Sequence, residues 1–250
     1  STPNMPYFEG LEEFPSRVMH AHDFRDALEF KGKDILLVGG SYSAEDIGTQ
    51  CYKYGTKSVT ISYRSQPLGY DWPEGIREVP LISHFEGDVA HFIDGTSQAF
   101  DAVIMCTGYL FHFPFLPDEL RLQTHNCLYP ENLYKGVFWQ PNPKLIYLGM
   151  QDQYFTFNMF DAQAWYARDV ILGEIELPDL ATREADEKKW LAEYEKVQTV
   201  DQEIDFQALY IRDLTNVTDY PEFAVEKQGE IFKQWQKDKK VDIMGFREKS

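Results

Sequence analysis

Apolar and polar positions in the first half of the chain follow two different periods. A continuous apolar run begins after Asp34 and ends at Val38, and a small-residue turn separates it from a helical pattern that reaches Tyr54. Gly55 suits a helix C-cap, and a β-type run follows over residues 57–64. Another apolar run occupies residues 100–106. This order of strand, turn, helix and strand predicts a compact α/β unit over residues 31–110.

The second half of the chain is mainly helical in pattern. Residues 144–150 predict a buried strand, and residues 160–173 predict a helix. Residues 182–196 mix acidic and lysine side chains as an exposed amphipathic helix does. Residues 201–250 also favour helix, and we expect them to lie at the periphery. Residues 1–10 are rich in Pro and Gly, which favours a crossing between domains.

The turn after the first strand carries the strongest functional signal. Gly39 supplies a tight turn, the small Ser41 replaces the second glycine of the dinucleotide-binding pattern, and Ala44 allows close packing of helix on strand. Phosphates bound there would meet the exposed N–H groups and the positive end of the following helix. Small residues also occur in turns that bind nothing, but the flanking elements favour a Rossmann-like dinucleotide site.

The end of the second strand indicates which dinucleotide binds. A site specific for NAD carries Asp or Glu at this end to hold the ribose hydroxyl. Arg64 and Ser65 stand there instead, and a cation with a hydroxyl suits a 2'-phosphate. The sequence therefore predicts NADPH rather than NADH. The alternative is that Arg64 is simply a solvated arginine at the end of a strand.

Composition narrows the partners and the compartment. The 250 residues carry a formal net charge of -17, which argues against nucleic acid or an anionic membrane as a partner. Cys51, Cys106 and Cys127 have neither the number of a disulfide framework nor the spacing of a zinc site. No run reaches the length of a transmembrane helix, and the first residues lack the features of a signal peptide. A cytoplasmic location fits these features best.

Two histidines near the first strand test the idea of a metal site. His20 and His22 adjoin Asp23, and these side-chain types do bind metals. Their spacing is not the i, i+4 arrangement of a helix, and no cysteine is near in sequence. We therefore predict no metal here and expect a structural role at the entry to the nucleotide unit.

Spaced motifs add a resemblance to a known family. Phe14, Ser16, His20 and Phe24 match the identifying sequence Phe-x-Gly-x-x-x-His-x-x-x-Phe/Tyr of flavin-containing monooxygenases, with serine in place of the glycine. Residues 107–109 resemble the family's second Thr-Gly-Tyr turn. Over essentially the whole chain the similarity is to the bacterial members that oxygenate trimethylamine, through residues 38–48, 149–153 and 157–169.

The resemblance implies a two-domain architecture. An NADPH-binding domain is inserted into an FAD-binding domain, so residues 1–10 would be the crossing segment, 11–130 the NADPH domain and 131–250 the returning C-terminal part of the FAD domain. The family's first Gly-x-Gly-x-x-Gly turn for FAD is absent from the sequence. We therefore expect an internal fragment, or one piece of a nicked or split enzyme, whose partner is the N-terminal FAD-binding segment. The family also implies a homodimer.

The resemblance also implies the chemistry. The intact enzyme would oxygenate trimethylamine to its N-oxide, and similar amines or sulfides, with NADPH, FAD and O2 through a C4a-hydroperoxyflavin. No catalytic side chain is expected, because the flavin carries the reaction. Ser41, Tyr42, Ser43 and Arg247 would contact NADP(H), with Arg64 and Ser65 on its 2'-phosphate. Gln153 and Thr156 would face the flavin, and Tyr42, Tyr154 and Trp235 would line the active site.

Two other functional hypotheses stay open. One is a non-catalytic NADPH-binding module or fragment, because a chain without the FAD turn cannot by itself anchor flavin. The other is a Baeyer-Villiger or another class B flavoprotein monooxygenase. Baeyer-Villiger enzymes carry Trp where this chain has Phe24, which favours amine or sulfur substrates over ketones.

Overall fold

The computed structural model describes residues 2–248 and divides into two compact units. The first contains residues 1–113 together with 238–250, and the second contains residues 114–237. The sequence predicts an NADPH-binding domain at residues 11–130 and part of an FAD-binding domain at residues 131–250. Binding of these cofactors to these ranges stays a prediction. None of the described helices is long and apolar enough to cross a membrane.

The strands are β1 Thr2–Pro3, β2 Arg17–His20, β3 Asp34–Val38, β4 Ser58–Ser62, β5 Ile76–Val79, β6 Ile82–Glu86, β7 Val89–Phe92, β8 Ser97–Ala99, β9 Ala102–Met105, β10 Tyr109–Leu110, β11 Leu133–Tyr134 and β12 Phe138–Trp139. The α-helices are α1 Tyr42–Lys53, α2 Thr156–Leu172, α3 Leu180–Tyr194, α4 Val200–Thr215 and α5 Val225–Val241. Short 3-10 helices lie at Leu11–Glu13, Ala21–Asp23, Ala27–Phe30, Asp118–Leu120 and Phe246–Glu248.

A parallel sheet organises the first unit, with the strand order β2-β9-β3-β4-β5. Val38 at the end of β3 lies opposite Ser62 of β4 and Met105 of β9, so these strands end at one edge. Helix α1 packs closely on the sheet, since a Cβ at Gly48 would lie 3.3 Å from Leu37 Cδ1. The predicted α/β fold with its strand, turn, helix and strand is confirmed.

A smaller antiparallel sheet of β6, β7 and β8 completes this unit. Phe85 and Ala90 face each other across β6 and β7 and are buried, and Phe14 packs edge-on against Phe85. At the start of the chain, β1 pairs antiparallel with β10. The Pro- and Gly-rich beginning is therefore attached to the first unit by backbone hydrogen bonds.

Helices α2, α3 and α4 enclose the core of the second unit. The ring of Trp190 on α3 stacks on Tyr129 and meets Tyr210 of α4 edge-on, with ring centroids 5.7 Å apart in the second pair. Ile204 and Ile211 of α4 are fully buried in the same core. The expectation that residues 201–250 lie at the periphery is wrong for α4, because its apolar face is one wall of this core.

The predicted strand at residues 144–150 is also wrong. Within these described residues the structure has no strand, and only an isolated bridge joins Ile146 to Phe138. Gly149 has φ +72°, which turns the chain, and its N–H donates to the side chain of Gln163 rather than to a neighbouring strand. The predicted burial is wrong as well, because only Tyr147 of these residues is buried and Leu148 is 44% exposed. The Gly149 N–H is satisfied by a side chain, which an apolar pattern does not indicate.

The predicted helices of the second unit are present with shifted ends. Helix α2 begins at Thr156, earlier than predicted, and ends before Gly173, whose φ of +79° makes it the C-cap. Helix α3 begins after Asp179, whose side chain accepts from Thr182 N and caps the helix.

Candidate functional site

Gly39 forms a turn that only glycine can make. Its φ is +125°, and a Cβ at this position would lie 2.3 Å from the carbonyl oxygen of Cys106. Its N–H donates to Ser62 O at 2.8 Å, which continues the pairing of β3 with β4. The backbone therefore passes directly from the sheet edge into α1, as a dinucleotide pyrophosphate requires.

Residues 41–44 lie at the start of helix α1, and Ser41, Tyr42 and Ser43 are exposed. Ser41 is the N-cap, and its hydroxyl makes no capping hydrogen bond to the described helix. Tyr42 and Ser43 are exposed, whereas Ala44 is fully buried against the sheet. The exposed N-terminus of α1, with two serine residues, therefore lies beside the Gly39 turn, and this arrangement suits an anion.

A buried ion pair lies under this helix end. Glu45 in the first turn of α1 is 5% exposed and forms an ion pair with Lys239, which is 1% exposed. Tyr70 donates its hydroxyl to Glu45 Oε1 at 2.6 Å, and Lys239 Nζ lies 4.6 Å from the ring centre of Tyr42. Burial and the Glu45 carboxylate raise the pKa of Tyr70, so it stays a neutral donor. Lys239 thus offsets a carboxylate that would otherwise oppose bound phosphate.

Arg64 and Ser65 follow β4 at the same sheet edge and are both exposed. Among residues 2–248 no ion pair of Arg64 is found. The loop after them is held by Glu78 of β5, whose carboxylate accepts from Gly69 N at 3.0 Å and Trp72 Nε1 at 2.7 Å. The structure therefore brings the predicted 2'-phosphate residues and the Gly39 turn to one edge of the sheet.

Arg247 lies beside the same helix. Its guanidinium donates to Asp46 Oδ1 at 2.6 Å, and both side chains are about half exposed. This ion pair holds the Arg247 guanidinium near the beginning of α1, although the sequence did not predict Asp46 as the partner. Contact between Arg247 and a cofactor stays a prediction.

The identifying motif joins β2 to the turn after β9. His20 is buried, its Nε2 bonds Gly108 O at 3.0 Å, and its Nδ1 accepts from His22 N at 3.0 Å. Burial lowers the pKa of His20, which keeps the ring neutral with its proton on Nε2. Phe24 stacks on Phe30 in the core. Both ring nitrogens of His20 are used within the fold, consistent with the structural role that the spacing favoured.

The segment at residues 149–156 carries the residues predicted to face flavin, and buried side chains hold it. Gln163 Oε1 accepts from Gly149 N at 2.8 Å, and Gln207 Oε1 accepts from Tyr154 N at 2.8 Å. Gln163 Nε2 donates to the hydroxyl of Tyr210 at 2.8 Å. Burial raises the pKa of Tyr210, so its neutral hydroxyl accepts from the glutamines and donates to a backbone oxygen. This network fixes an otherwise irregular segment.

The predicted flavin and substrate residues of this unit occupy partly open positions. Gln153 and Thr156 are half-buried, and Thr156 is the first residue of α2. The Tyr154 hydroxyl donates to Glu203, so the position of this ring is set by α4. Trp235 is half-buried on α5. Gln153, Tyr154 and Thr156 lie close together because they are neighbours in sequence.

Sequence reasoning missed the residues that support the site. The anchor Glu78 and the glutamines at 163 and 207 had no recognisable motif. Glu45 offered a signal, because a carboxylate beside a turn predicted to hold phosphate would repel the phosphate unless a cation lies near. Its partner, Lys239, lies too far along the chain to be inferred. The three cysteines are free and buried in the described chain, and burial raises the pKa of Cys51 and Cys106 to about 12, which makes them unreactive.

Fold and site together define a dinucleotide-binding protein, and a family comparison specifies its class. The family model described as flavin-binding monooxygenase-like matches residues 75–244. The chain therefore belongs to the flavin-binding monooxygenase-like family, and the resemblance predicted from the sequence is confirmed.

Particular relatives extend the match to the whole chain. It is 62% identical over 250 residues to trimethylamine monooxygenase of Methylocella silvestris, covering 100% of this chain and 55% of the relative. It is 59% identical over 247 residues to trimethylamine monooxygenase of a Roseovarius species, covering 99% of this chain and 56% of the relative. The crystal structure of Tmm from Pelagibacter sp. strain HTCC7211 matches with a TM-score of 0.96 and 53% identity, over 99% of this chain and 56% of that chain. The chain thus spans about half the length of these relatives.

Proposed function

We propose that this chain supplies the NADPH-binding domain and the returning part of the FAD-binding domain of a monooxygenase that N-oxygenates trimethylamine. Similar amines or sulfides would be further substrates, with O2 as co-substrate and trimethylamine N-oxide as product. The observation that carries the proposal is the 62% identity, over all 250 residues, to a protein named for this activity. The glycine-dependent turn at Gly39 supports the cofactor part of the proposal.

The first unit would bind and orient NADPH. The Gly39 turn lets the backbone approach the pyrophosphate, while the N–H groups of α1 and the hydroxyls of Ser41 and Ser43 donate to it. Arg64 and Ser65 would hold the 2'-phosphate by charge-assisted hydrogen bonds. Because Lys239 offsets Glu45, the helix end stays favourable for a dianionic ligand. Arg247, held beside the same helix by Asp46, would donate to the cofactor from its half-exposed guanidinium.

The second unit would contribute to the flavin domain. When bound, NADPH supplies a hydride and FAD carries the activation of oxygen, so the protein needs no nucleophile of its own. Gln153 and Thr156 would contact the flavin, held by the buried glutamine and tyrosine network. Tyr42, Tyr154 and Trp235 would line the active site, where aromatic faces attract a methylated ammonium and exclude water.

The remaining partners belong to the same proposal. An N-terminal FAD-binding segment would complete the flavin site, and the family implies a homodimer. The buried free cysteines are compatible with a reducing cytoplasm as the location.

The test is the visible absorption spectrum of the purified protein together with NADPH oxidation in air. Bound-flavin bands and NADPH oxidation that rises with trimethylamine are the expected results. NADPH binding without flavin or turnover, even after the N-terminal segment is supplied, would overturn the monooxygenase and favour the non-catalytic nucleotide-binding module. Turnover with a ketone and not with the amine would favour a Baeyer-Villiger enzyme instead.

A substitution at the sheet edge tests the choice of cofactor. Arg64→Ala should weaken NADPH binding by about 1.5–3 kcal/mol, roughly 10- to 150-fold, because a charged hydrogen bond to phosphate is lost. NADH binding should change less than about twofold, since NADH lacks that phosphate. Isothermal titration with both nucleotides measures the difference. Arg25→Ala, at another exposed arginine of the first unit, is the matched control. Equal losses for both nucleotides would refute the assignment.

A further inference from the structure

Two histidines and a glutamate meet on the outer face of the β6-β7 hairpin. His84 lies directly opposite His91 in the strand register, and Glu86 is two residues beyond His84 on the same strand. Side chains alternate between faces of a strand, so Phe85 and Ala90 point into the core while these three share the other face. Residues from two strands are thus brought together by pairing, with no motif in sequence.

The distances between the donor atoms suit a tetrahedral metal ion. His84 Nε2 lies 3.6 Å from Glu86 Oε1, and His91 Nε2 lies 3.5 Å from Glu86 Oε2. All three donor groups offer an atom within 4.8 Å of the others. A tetrahedral zinc ion with bonds of about 2.0–2.1 Å separates its ligand atoms by roughly 3.3 Å. A small inward movement of the side chains would therefore close the site.

One donor atom, His91 Nε2, has no hydrogen bond in the described chain. This atom is shielded from solvent. Its contact with Glu86 Oε2 at 3.5 Å is too long for a good hydrogen bond, and a metal ion between the two groups would satisfy both. His84 Nδ1 lies 3.1 Å from Ser83 Oγ. When Nδ1 donates to that hydroxyl, Nε2 keeps its lone pair for a metal, as ligating histidines require.

The two imidazole rings stack in parallel, with centroids 4.4 Å apart and 1° between their planes. A shared ion needs both lone pairs to point at it, so each ring must tilt toward the other. The χ2 torsion of histidine is broad, and His84 and His91 are 36% and 31% exposed, so the rings have room to turn.

We propose that His84, Glu86 and His91 form a binding site for a divalent cation of the zinc class. Two imidazoles and one carboxylate suit Zn²⁺, Ni²⁺ or Cu²⁺ and not Mg²⁺ or Ca²⁺, which prefer oxygen ligands. Three protein ligands leave a fourth position for water at this exposed face. The ion would cross-link β6 and β7. This site does not depend on the proposed monooxygenase function.

The experiment titrates ZnCl2 into the EDTA-treated and dialysed protein by calorimetry. One ion per chain should bind, and His84→Gln and His91→Gln should each weaken binding at least about tenfold, because each removes a ligand. Glu86→Gln should also weaken it, and MgCl2 should give no heat of binding. His112→Gln removes an exposed histidine of the same unit and is the matched control. Zinc affinities within twofold of the wild type in both histidine variants would overturn the site.

A measurement on the wild-type protein removes any dependence on variant folding. Zn²⁺ should shift the imidazole NMR signals of two histidines and leave the others in place. Co²⁺ as a stand-in should give the intense visible absorption of a tetrahedral complex. Shifts spread over all histidines, or a spectrum without tetrahedral bands, would contradict the proposal.

Discussion

The two units support their predicted cofactor residues by different means. In the first, residues 39–44 are contiguous, and their arrangement follows from the backbone: a glycine with φ +125°, a parallel sheet edge and a helix N-terminus. In the second, residues 149–155 are irregular, and side chains on α2 and α4 bond to their backbone. One site is built by local backbone geometry and the other by buried hydrogen bonds over long sequence separations.

This difference determines which substitutions each region tolerates. A backbone-made turn fails when a Cβ is added, but accepts changes in the side chains around it. A segment held by side chains fails when one buried hydroxyl or amide is removed, because the remaining partners are left unsatisfied. The first region also depends on one distant side chain, through the Glu45–Lys239 ion pair.

Lys239→Met should have the largest effect on stability, and it tests the dependence of the first region on this distant side chain. Removing the lysine leaves Glu45 buried without its cation, and we expect the free energy of unfolding to fall by about 3–5 kcal/mol. Urea denaturation measures the loss. Lys240→Met, at the adjacent exposed position, is the control. The double variant Glu45→Gln/Lys239→Met should recover at least half of the stability, and no recovery would show that the ion pair is not the cause.

Gly39→Ala tests the backbone side of the comparison. The added Cβ would meet the Cys106 carbonyl oxygen at 2.3 Å in a backbone conformation unfavourable to alanine. We expect a loss of about 2–4 kcal/mol in unfolding free energy and weaker NADPH binding. At Gly40 a Cβ would make only an ordinary 3.4 Å contact with Tyr63, so Gly40→Ala should change stability by less than about 1 kcal/mol. Similar losses of unfolding free energy in the two variants would contradict the requirement for glycine at position 39.

Tyr210→Phe tests the side-chain side of the comparison. The hydroxyl accepts from Gln163 and Gln151 and donates to Lys135 O, so its removal leaves buried polar groups without a partner. The expected loss is about 1–3 kcal/mol, with faster hydrogen exchange at Gly149 N. Tyr220→Phe, which removes a hydroxyl bonded to exposed Asp161, should change stability by less than about 0.5 kcal/mol. Unchanged hydrogen exchange at Gly149 N would show that the hydrogen bonds of Tyr210 do not hold residues 149–155 in place.

The pattern of the sequence predicted most of the first unit and less of the second. Strands β3, β4 and β9, helix α1 and the need for Gly39 follow from local patterns, because turn, strand and helix preferences act over a few residues. The predicted strand at residues 144–150 and the predicted peripheral position of α4 were wrong, whereas the helical pattern of residues 201–250 was confirmed by α4 and α5. Periodicity indicates that a segment is apolar, but not which neighbour covers it or where its backbone hydrogen bonds go.

The candidate sites divide in the same way. The sequence by itself determined the glycine turn, the arginine at the end of β4 and the family motif around His20, since each depends on residue types at short, regular spacing. Only the tertiary structure decided that Lys239 pairs with Glu45, that Gln163, Gln207 and Tyr210 hold residues 149–155, and that His84 faces His91. These contacts join residues far apart in sequence or on paired strands. Their partners are chosen by packing and by the need to satisfy buried polar groups, which no local pattern records.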